Sequence, residues 1–211
     1  MTPSVLILAN GRPPKKSLFT SLRKEASFFV CADGGANTAA RFNERPDLII
    51  GDLDSIKATT VKKFSSVVTR RVADQNSTDL EKALAWVIRK GYRRIDVVGA
   101  TGGRPDHLAG NLSALGKFSR QASVRFIDDD GILTLVGSSC TFDAPPGTTI
   151  SLIPLSRCEG IVTSGLRWEL RNGVLELGFR ESTSNIVKKS PVTINVRRGA
   201  LLLYRLHDSA S

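Results

Sequence analysis

Up to Ile127 the apolar residues fall into short runs separated by longer stretches of mixed character. Val5-Leu6-Ile7-Leu8, Phe28-Phe29-Val30-Cys31-Ala32, Asp47-Leu48-Ile49-Ile50, Val67-Val68-Thr69-Arg70, Ile95-Asp96-Val97-Val98 and Val124-Arg125-Phe126-Ile127 have the length and composition of strands. Helical periodicity lies between several of them. The clearest case starts at Thr78, where Thr78 and Glu81 have the spacing of a capping box. Leu80, Ala83, Leu84, Val87 and Ile88 then share one face, and Gly91 ends the pattern. A second helix is expected from Pro105, with Leu108, Leu112 and Leu115 as its apolar stripe and Gly116 as its end. Strands alternating with helices predict a mostly parallel sheet covered by helices, an α/β/α arrangement.

Beyond about residue 138 the pattern changes. Helical periodicity gives way to β-rich runs: Thr149–Ile153, Gly160–Thr163, Val174–Leu177, Val192–Val196 and Ala200–Tyr204. Turn signals separate them, Asn172-Gly173 the strongest. This predicts a smaller antiparallel β-sandwich. The expected division is residues 1–137 for the α/β domain and 138–211 for the sandwich. So small a sandwich makes a marginal core alone, so it is expected to pack on the first domain, on another subunit, or on both.

Composition narrows the function. The chain has 211 residues, 41% of them hydrophobic, which suffices for a packed core. No apolar run reaches the length of a membrane span, and no secretion signal is read at the N-terminus. Cys31, Cys140 and Cys158 are widely spaced, without metal-site pairing, and are expected as free thiols in a reducing cytoplasm. The net charge of +10 raises the possibility of a nucleic-acid partner. The basic residues, however, come as scattered pairs, with no basic helix and no aromatic-interleaved RNA-binding pattern. A basic enzyme with an anionic substrate is the better reading.

The candidate chemistry sits where the strands end. Ala32-Asp33-Gly34-Gly35, Gly51-Asp52-Leu53-Asp54-Ser55, Asp74-Gln75-Asn76-Ser77-Thr78-Asp79 and Gly102-Gly103-Arg104-Pro105-Asp106-His107 each follow, directly or closely, a strand-like run. Parallel neighbouring strands would open all four loops at one sheet edge. Carboxylates, an arginine and glycine backbone gathered there suit Mg2+ and a polyphosphate. Asp52 and Asp54, two apart in an extended stretch, would point the same way toward one hard cation. Asp33 is either the N-cap of a following helix or a nucleotide or metal-water contact, with Gly34 and Gly35 allowing close backbone approach. Gly102 and Gly103 precede a helix start, where N–H groups favour anions, and Arg104 can grip phosphate in a forked geometry. The glycine spacing fits neither a P-loop nor a dinucleotide-binding fingerprint. His107 is read as a helix-start residue at least as readily as a catalytic one.

In this order the motifs resemble the thiamine pyrophosphokinase family, from Cys31-Ala32-Asp33-Gly34-Gly35-Ala36-Asn37 to Ser182-Thr183-Ser184-Asn185. The resemblance implies an enzyme that moves the terminal diphosphate of ATP to the hydroxyethyl group of thiamine and releases AMP. It implies Mg2+ on Asp52, Asp54 and Asp79, with Thr78 beside the ATP and Gln75 a polar contact to thiamine. Asp106 belongs to the same pattern, and either Asp79 or Asp106 is the expected proton acceptor. Ser182, Ser184 and Asn185 are implied as thiamine contacts in a homodimer with shared active sites, and no nucleic acid or membrane partner is expected. An aromatic residue that follows this segment in some relatives is missing here: Ile186-Val187-Lys188-Lys189 stands in its place. A Mg2+-dependent nucleotide hydrolase and a basic nucleic-acid-binding module are the competing readings, separated from the first by thiamine-dependent AMP release and by salt-sensitive binding to nucleic acid.

Overall fold

The computed structural model describes residues 3–207 and divides into two compact units, the first ending at Asp129 and the second beginning at Asp130. The first unit carries β1 (Ser4–Leu8), α1 (Lys16–Glu25), β2 (Phe28–Ala32), α2 (Gly35–Phe42), β3 (Leu48–Gly51), α3 (Ala58–Lys63), β4 (Val68–Arg71), α4 (Asp79–Arg89), β5 (Arg94–Val98), α5 (Pro105–Phe118) and β6 (Ser123–Ile127). Its strands run in the order β6-β5-β1-β2-β3-β4, and every neighbouring pair is parallel. The inner strands are continuous apolar runs because helices cover both faces: Leu6, Ile7, Leu8, Phe29, Val30, Ile50 and Val97 are all buried. At the open border, all four residues of β4 are exposed.

Local signals in the sequence set the helices. Thr78 caps α4: its hydroxyl accepts from the Glu81 N–H, and the Glu81 carboxylate accepts from the Thr78 N–H. The helix ends on Gly91, whose N–H donates to the Ile88 carbonyl while Tyr92 N–H reaches Val87, a Schellman closure with Gly91 at φ +91°. Gly116 does not end α5. The helix continues to Phe118, and Gly116 is buried within it, so a single interior glycine is outweighed by the packing of the residues around it.

The second unit is all β: β7 (Gly131–Val136), β8 (Ser139–Phe142), β9 (Thr149–Pro154), β10 (Cys158–Ser164), β11 (Gly173–Leu175), β12 (Ser182–Ile186), β13 (Val192–Asn195) and β14 (Leu201–Leu206). One sheet runs β12-β9-β14-β7 and the other β11-β10-β13-β8, antiparallel within each. Ile150, Leu152, Leu201 and Leu203 of the first sheet join Ile161, Leu175, Val192 and Ile194 of the second in one apolar core, the sandwich expected from the tail. The division falls ahead of residue 138 because β7 pairs along its whole length with β14. β7, β8 and β12 were not legible as strands. Among the described residues no helix is long and apolar enough to cross a membrane.

Candidate active site

The strand order places a topological switch beside β1. The chain steps from β1 to β2 on one side, then returns after β4 to lay β5 on the other side. In open parallel sheets the loops at such a switch diverge beyond the strands' carboxyl ends and leave a crevice. A cavity of about 730 Å3 lies there, within the first unit. All four acidic loops contribute to its lining: Asp33 after β2, Asp52 and Ser55 after β3, Gln75 and Thr78–Asp79 leading into α4, and Gly102–Arg104 and Asp106 after β5. The loop after β1 adds Asn10, Gly11 and Arg12, and α4 adds Lys82. Those residues are missing from the sequence-derived site because the first loop carries no carboxylate and Lys82 falls inside a helical pattern.

Asp33 is the most confined carboxylate. It is 2% exposed, sits at φ 42°, and its Oδ1 is buried without a hydrogen-bond partner among the described residues. Burial raises its pKa, and the charges of Asp79 and Asp52 push the same way, against hydrogen bonds from Gly34 and Ser55. It is not a helix cap: α2 is capped by Gly34, with no side-chain bond. One oxygen each of Asp33, Asp52 and Asp54 lie within 4.8 Å of one another, close enough to share one ion. The Asp52 Oδ1 accepts from the Asp54 N–H at 3.2 Å, and Ser55 Oγ donates to Asp54 at 2.9 Å. Leu53, at φ 72°, turns the chain between the two carboxylates.

Asp79 does not join that set. It was also expected on the cation; here its Oδ1 accepts from the Lys82 ammonium at 3.0 Å and from the Asp52 N–H at 3.2 Å, outside the group of three. Lys82 is an almost fully buried cation, its side chain 4% exposed against 29% for Asp79. Gly51 keeps this corner tight: a Cβ there would lie 2.8 Å from the Asp33 Cβ and 3.0 Å from the Asp79 Oδ1. The second oxygen of Asp79 has no hydrogen bond among the described residues.

Gly34 and Gly35 do not line the cavity. A Cβ on Gly35 would sit 2.1 Å from the Leu8 carbonyl oxygen, and one on Gly34 would meet the Asn10 side chain at 2.3 Å. Their glycine character lets α2 pack on the end of β1. Gly102 and Gly103 do line the cavity, at φ +73° and +78°, in a loop braced by Asn111, whose amide donates to the Ala100 carbonyl at 2.8 Å. Arg104 is the N-cap residue of α5, and its guanidinium grips Asp106 with both arms, at 3.1 and 2.6 Å. Arg104 holds the Asp106 carboxyl down at about 2, and the pair is open to solvent at 73% and 62%.

In the second unit Ser182, Ser184 and Asn185 lie on the border strand β12, not on a loop. A bulge interrupts its pairing with β9 between Ser182 and Asn185, and Ser184 adopts φ 55° there. Ser182 is half-buried and Ser184 exposed. The Asn185 amide is 3% exposed and engaged: Oδ1 accepts from the N–H of Trp168 and Ile186, and Nδ2 donates to the Trp168 carbonyl. Asn185 thus fixes the position of Trp168, which is 56% exposed with the Arg167 guanidinium over its ring at 4.9 Å. Trp168, Arg180, Ser182 and Thr183 surround a smaller cavity of about 260 Å3 within this unit.

Known proteins share this layout. The family model for the thiamin pyrophosphokinase catalytic domain matches residues 19–127, and that for the thiamin pyrophosphokinase vitamin B1 binding domain matches residues 139–201. Thiamine pyrophosphokinase 1 of Oryza sativa is 32% identical over 218 residues, spanning 90% of this chain and 82% of the relative. Thiamin pyrophosphokinase 1 of Caenorhabditis elegans is 34% identical, spanning 90% and 84%. The crystal structure of thiamine pyrophosphokinase from Bacillus subtilis superposes with a TM-score of 0.84 at 25% identity, covering 97% of this chain and 99% of that one. Two family matches in the expected order, relatives aligned over most of the chain and a shared fold agree with the carboxylate-lined crevice, and so the chain belongs to the thiamin pyrophosphokinase family, enzymes that transfer the diphosphate of ATP to thiamine.

Proposed function

We propose that the crevice beside β1 binds ATP with Mg2+, and that Asp33, Asp52 and Asp54 hold the cation. The observation that carries this reading is the approach of their three oxygens to within 4.8 Å, one of them belonging to a carboxylate buried without enough partners. An oxygen-only donor set at the edge of a polar cavity fits a hard divalent cation. Bound there, the cation would neutralise the diphosphate and make its β-phosphorus easier to attack.

The protein's own part is positioning and proton transfer. The thiamine hydroxyl oxygen forms a bond to the β-phosphorus, the bond from that phosphorus to the α,β-bridging oxygen breaks, and AMP leaves with the electron pair. The hydroxyl proton goes to a carboxylate. Asp106 is held low only while Arg104 grips it, so the choice of acceptor rests on position: Asp79 lies against the Asp52 backbone at the edge of the cation's carboxylates. Asp79 has one oxygen fixed by Lys82 and the Asp52 N–H and the other unengaged, which makes it the base. Arg104 exchanges Asp106 for phosphate oxygens, a step made easy by the solvent exposure of the pair. Gln75 and Thr78 supply polar contacts at the mouth of α4.

Thiamine is assigned to the second unit's cavity, with Ser182 and the Trp168 face as its contacts and Asn185 as the residue that sets them. The exposed indole answers the missing aromatic after Asn185. A homodimer completing each acceptor site, and a cytoplasmic location suited to three free cysteines, belong to the same proposal. The test is AMP release by purified protein with ATP, Mg2+ and thiamine, beside Asp52→Asn and Asp54→Asn. Release is expected to need thiamine and to drop at least about a hundredfold in both variants; full activity in both would refute the cation site.

A further inference from the structure

The cations around the nucleotide cavity are not equivalent. Lys82 is committed to Asp79, and Arg104 to Asp106. Arg12 lines the same cavity, and its guanidinium has no hydrogen-bond or ion-pair partner among the described residues. An exposed, unpartnered arginine adds little to stability, so folding does not explain why it is held where it is.

The backbone beneath it is held firmly. Ala9 N–H donates to the Val98 carbonyl at 2.9 Å, Gly11 N–H to Gly99 at 2.8 Å, and Arg12 N–H to Thr101 at 3.3 Å. The β1–β5 pairing is thereby carried beyond both strands into their loops. Gly11 has no room for a side chain, since a Cβ would sit 2.4 Å from the Gly99 oxygen. A Cβ on Gly102 would lie 2.9 Å from the Arg12 Cβ, so the glycine leaves the space that the arginine stem fills. The result is a guanidinium on a fixed base, beside the phosphate-compatible start of α5, in a cavity that also presents Asp33, Asp52, Asp79 and Asp106.

We infer that Arg12 binds the polyphosphate of the nucleotide and sets this enzyme's affinity for it. The inference rests on the crevice being the nucleotide site. An anion entering a cavity with four carboxylates needs a cation not already engaged, and of the three cations Arg12 alone meets that need without breaking a pair. The contact forms whether or not the acceptor is present, so it acts on ground-state binding, and its loss raises KM for ATP more than it lowers kcat.

The test compares wild type, Arg12→Gln and Arg12→Lys. Calorimetry reads the Kd for a non-hydrolysable ATP analogue with Mg2+, and steady-state assays read kcat and both KM values. Loss of charge-assisted hydrogen bonds weakens the analogue by about tenfold to a hundredfold in Arg12→Gln. KM for ATP follows, kcat changes by less than about threefold, KM for thiamine is unchanged, and Arg12→Lys recovers part of the loss. An unchanged melting temperature shows that the effect is not structural. Analogue affinity within about twofold of wild type in Arg12→Gln overturns the assignment. A wild type that fails to bind the analogue at all overturns the nucleotide site itself, and Arg12's role with it.

Discussion

The Lys82–Asp79 pair makes an asymmetric prediction. Asp79→Ala strands an ammonium whose side chain is 4% exposed and whose one partner among the described residues is the Asp79 Oδ1 at 3.0 Å. Leaving a buried charge unpaired costs about 3 kcal/mol or more. Lys82→Met is milder. Asp79 is 29% exposed and keeps the Asp52 N–H, while the methionine refills the space of the lysine stem, so the cost is about 1.5 kcal/mol. In a chain of this size each kcal/mol lowers Tm by about 2–4 °C, giving a drop of about 9 °C for Asp79→Ala and about 4 °C for Lys82→Met. The double variant has neither stranded charge, so it melts no lower than Asp79→Ala, with a coupling of about 2 kcal/mol in the cycle. Thermal melts in chelator, monitored by circular dichroism, check this. Equal drops for the two single variants, or strict additivity in the double, would refute the reasoning.

Other consequences follow from the same geometry. Asp33 has a raised pKa, so its ionisation is harder in the folded chain than in the unfolded one, whose reference is 3.8. The stability it contributes is therefore present below pH 3.8 and lost as pH rises through its folded pKa; without divalent cation, Asp33→Asn is expected to raise Tm at pH 7 and to remove the stabilisation that Mg2+ gives wild type. Gly35→Ala forces a methyl to within 2.1 Å of the Leu8 carbonyl oxygen, so it should cost about 2–3 kcal/mol in urea denaturation. Asn185→Ala leaves the N–H and carbonyl of Trp168 without their partner and should destabilise by about 2 kcal/mol, with weaker thiamine binding read by calorimetry.

The parallel sheet and the loops that define its functional edge were legible because each strand is a compact apolar run and each loop begins where that run ends. The α4 boundaries were legible for a local reason as well: both the capping box and Gly91 act within a few residues. Asp52 and Asp54 were legible as partners on one ion, but the carboxylate that joins them was not. Asp33 and Asp79 are both two or more loops away from Asp54 in sequence, and which of them faces it depends on Gly51 and on a lysine inside α4. The role of Asn185 was hidden in the same way, because its partner Trp168 lies seventeen positions earlier. β12 escaped notice since Ser182-Thr183-Ser184 lacks the alternation of a strand and carries a bulge.

The fully exposed border strand β4 ends in Arg70 and Arg71 and offers a row of unpaired backbone groups. Such a rim could recruit another copy's rim and grow into an open-ended ladder, but two guanidinium groups at the margin repel an identical margin. The defence is electrostatic, so concentrated salt, which shortens the reach of that repulsion, should favour slow self-association detectable by light scattering, and Arg70→Val with Arg71→Val should bring it on at low salt.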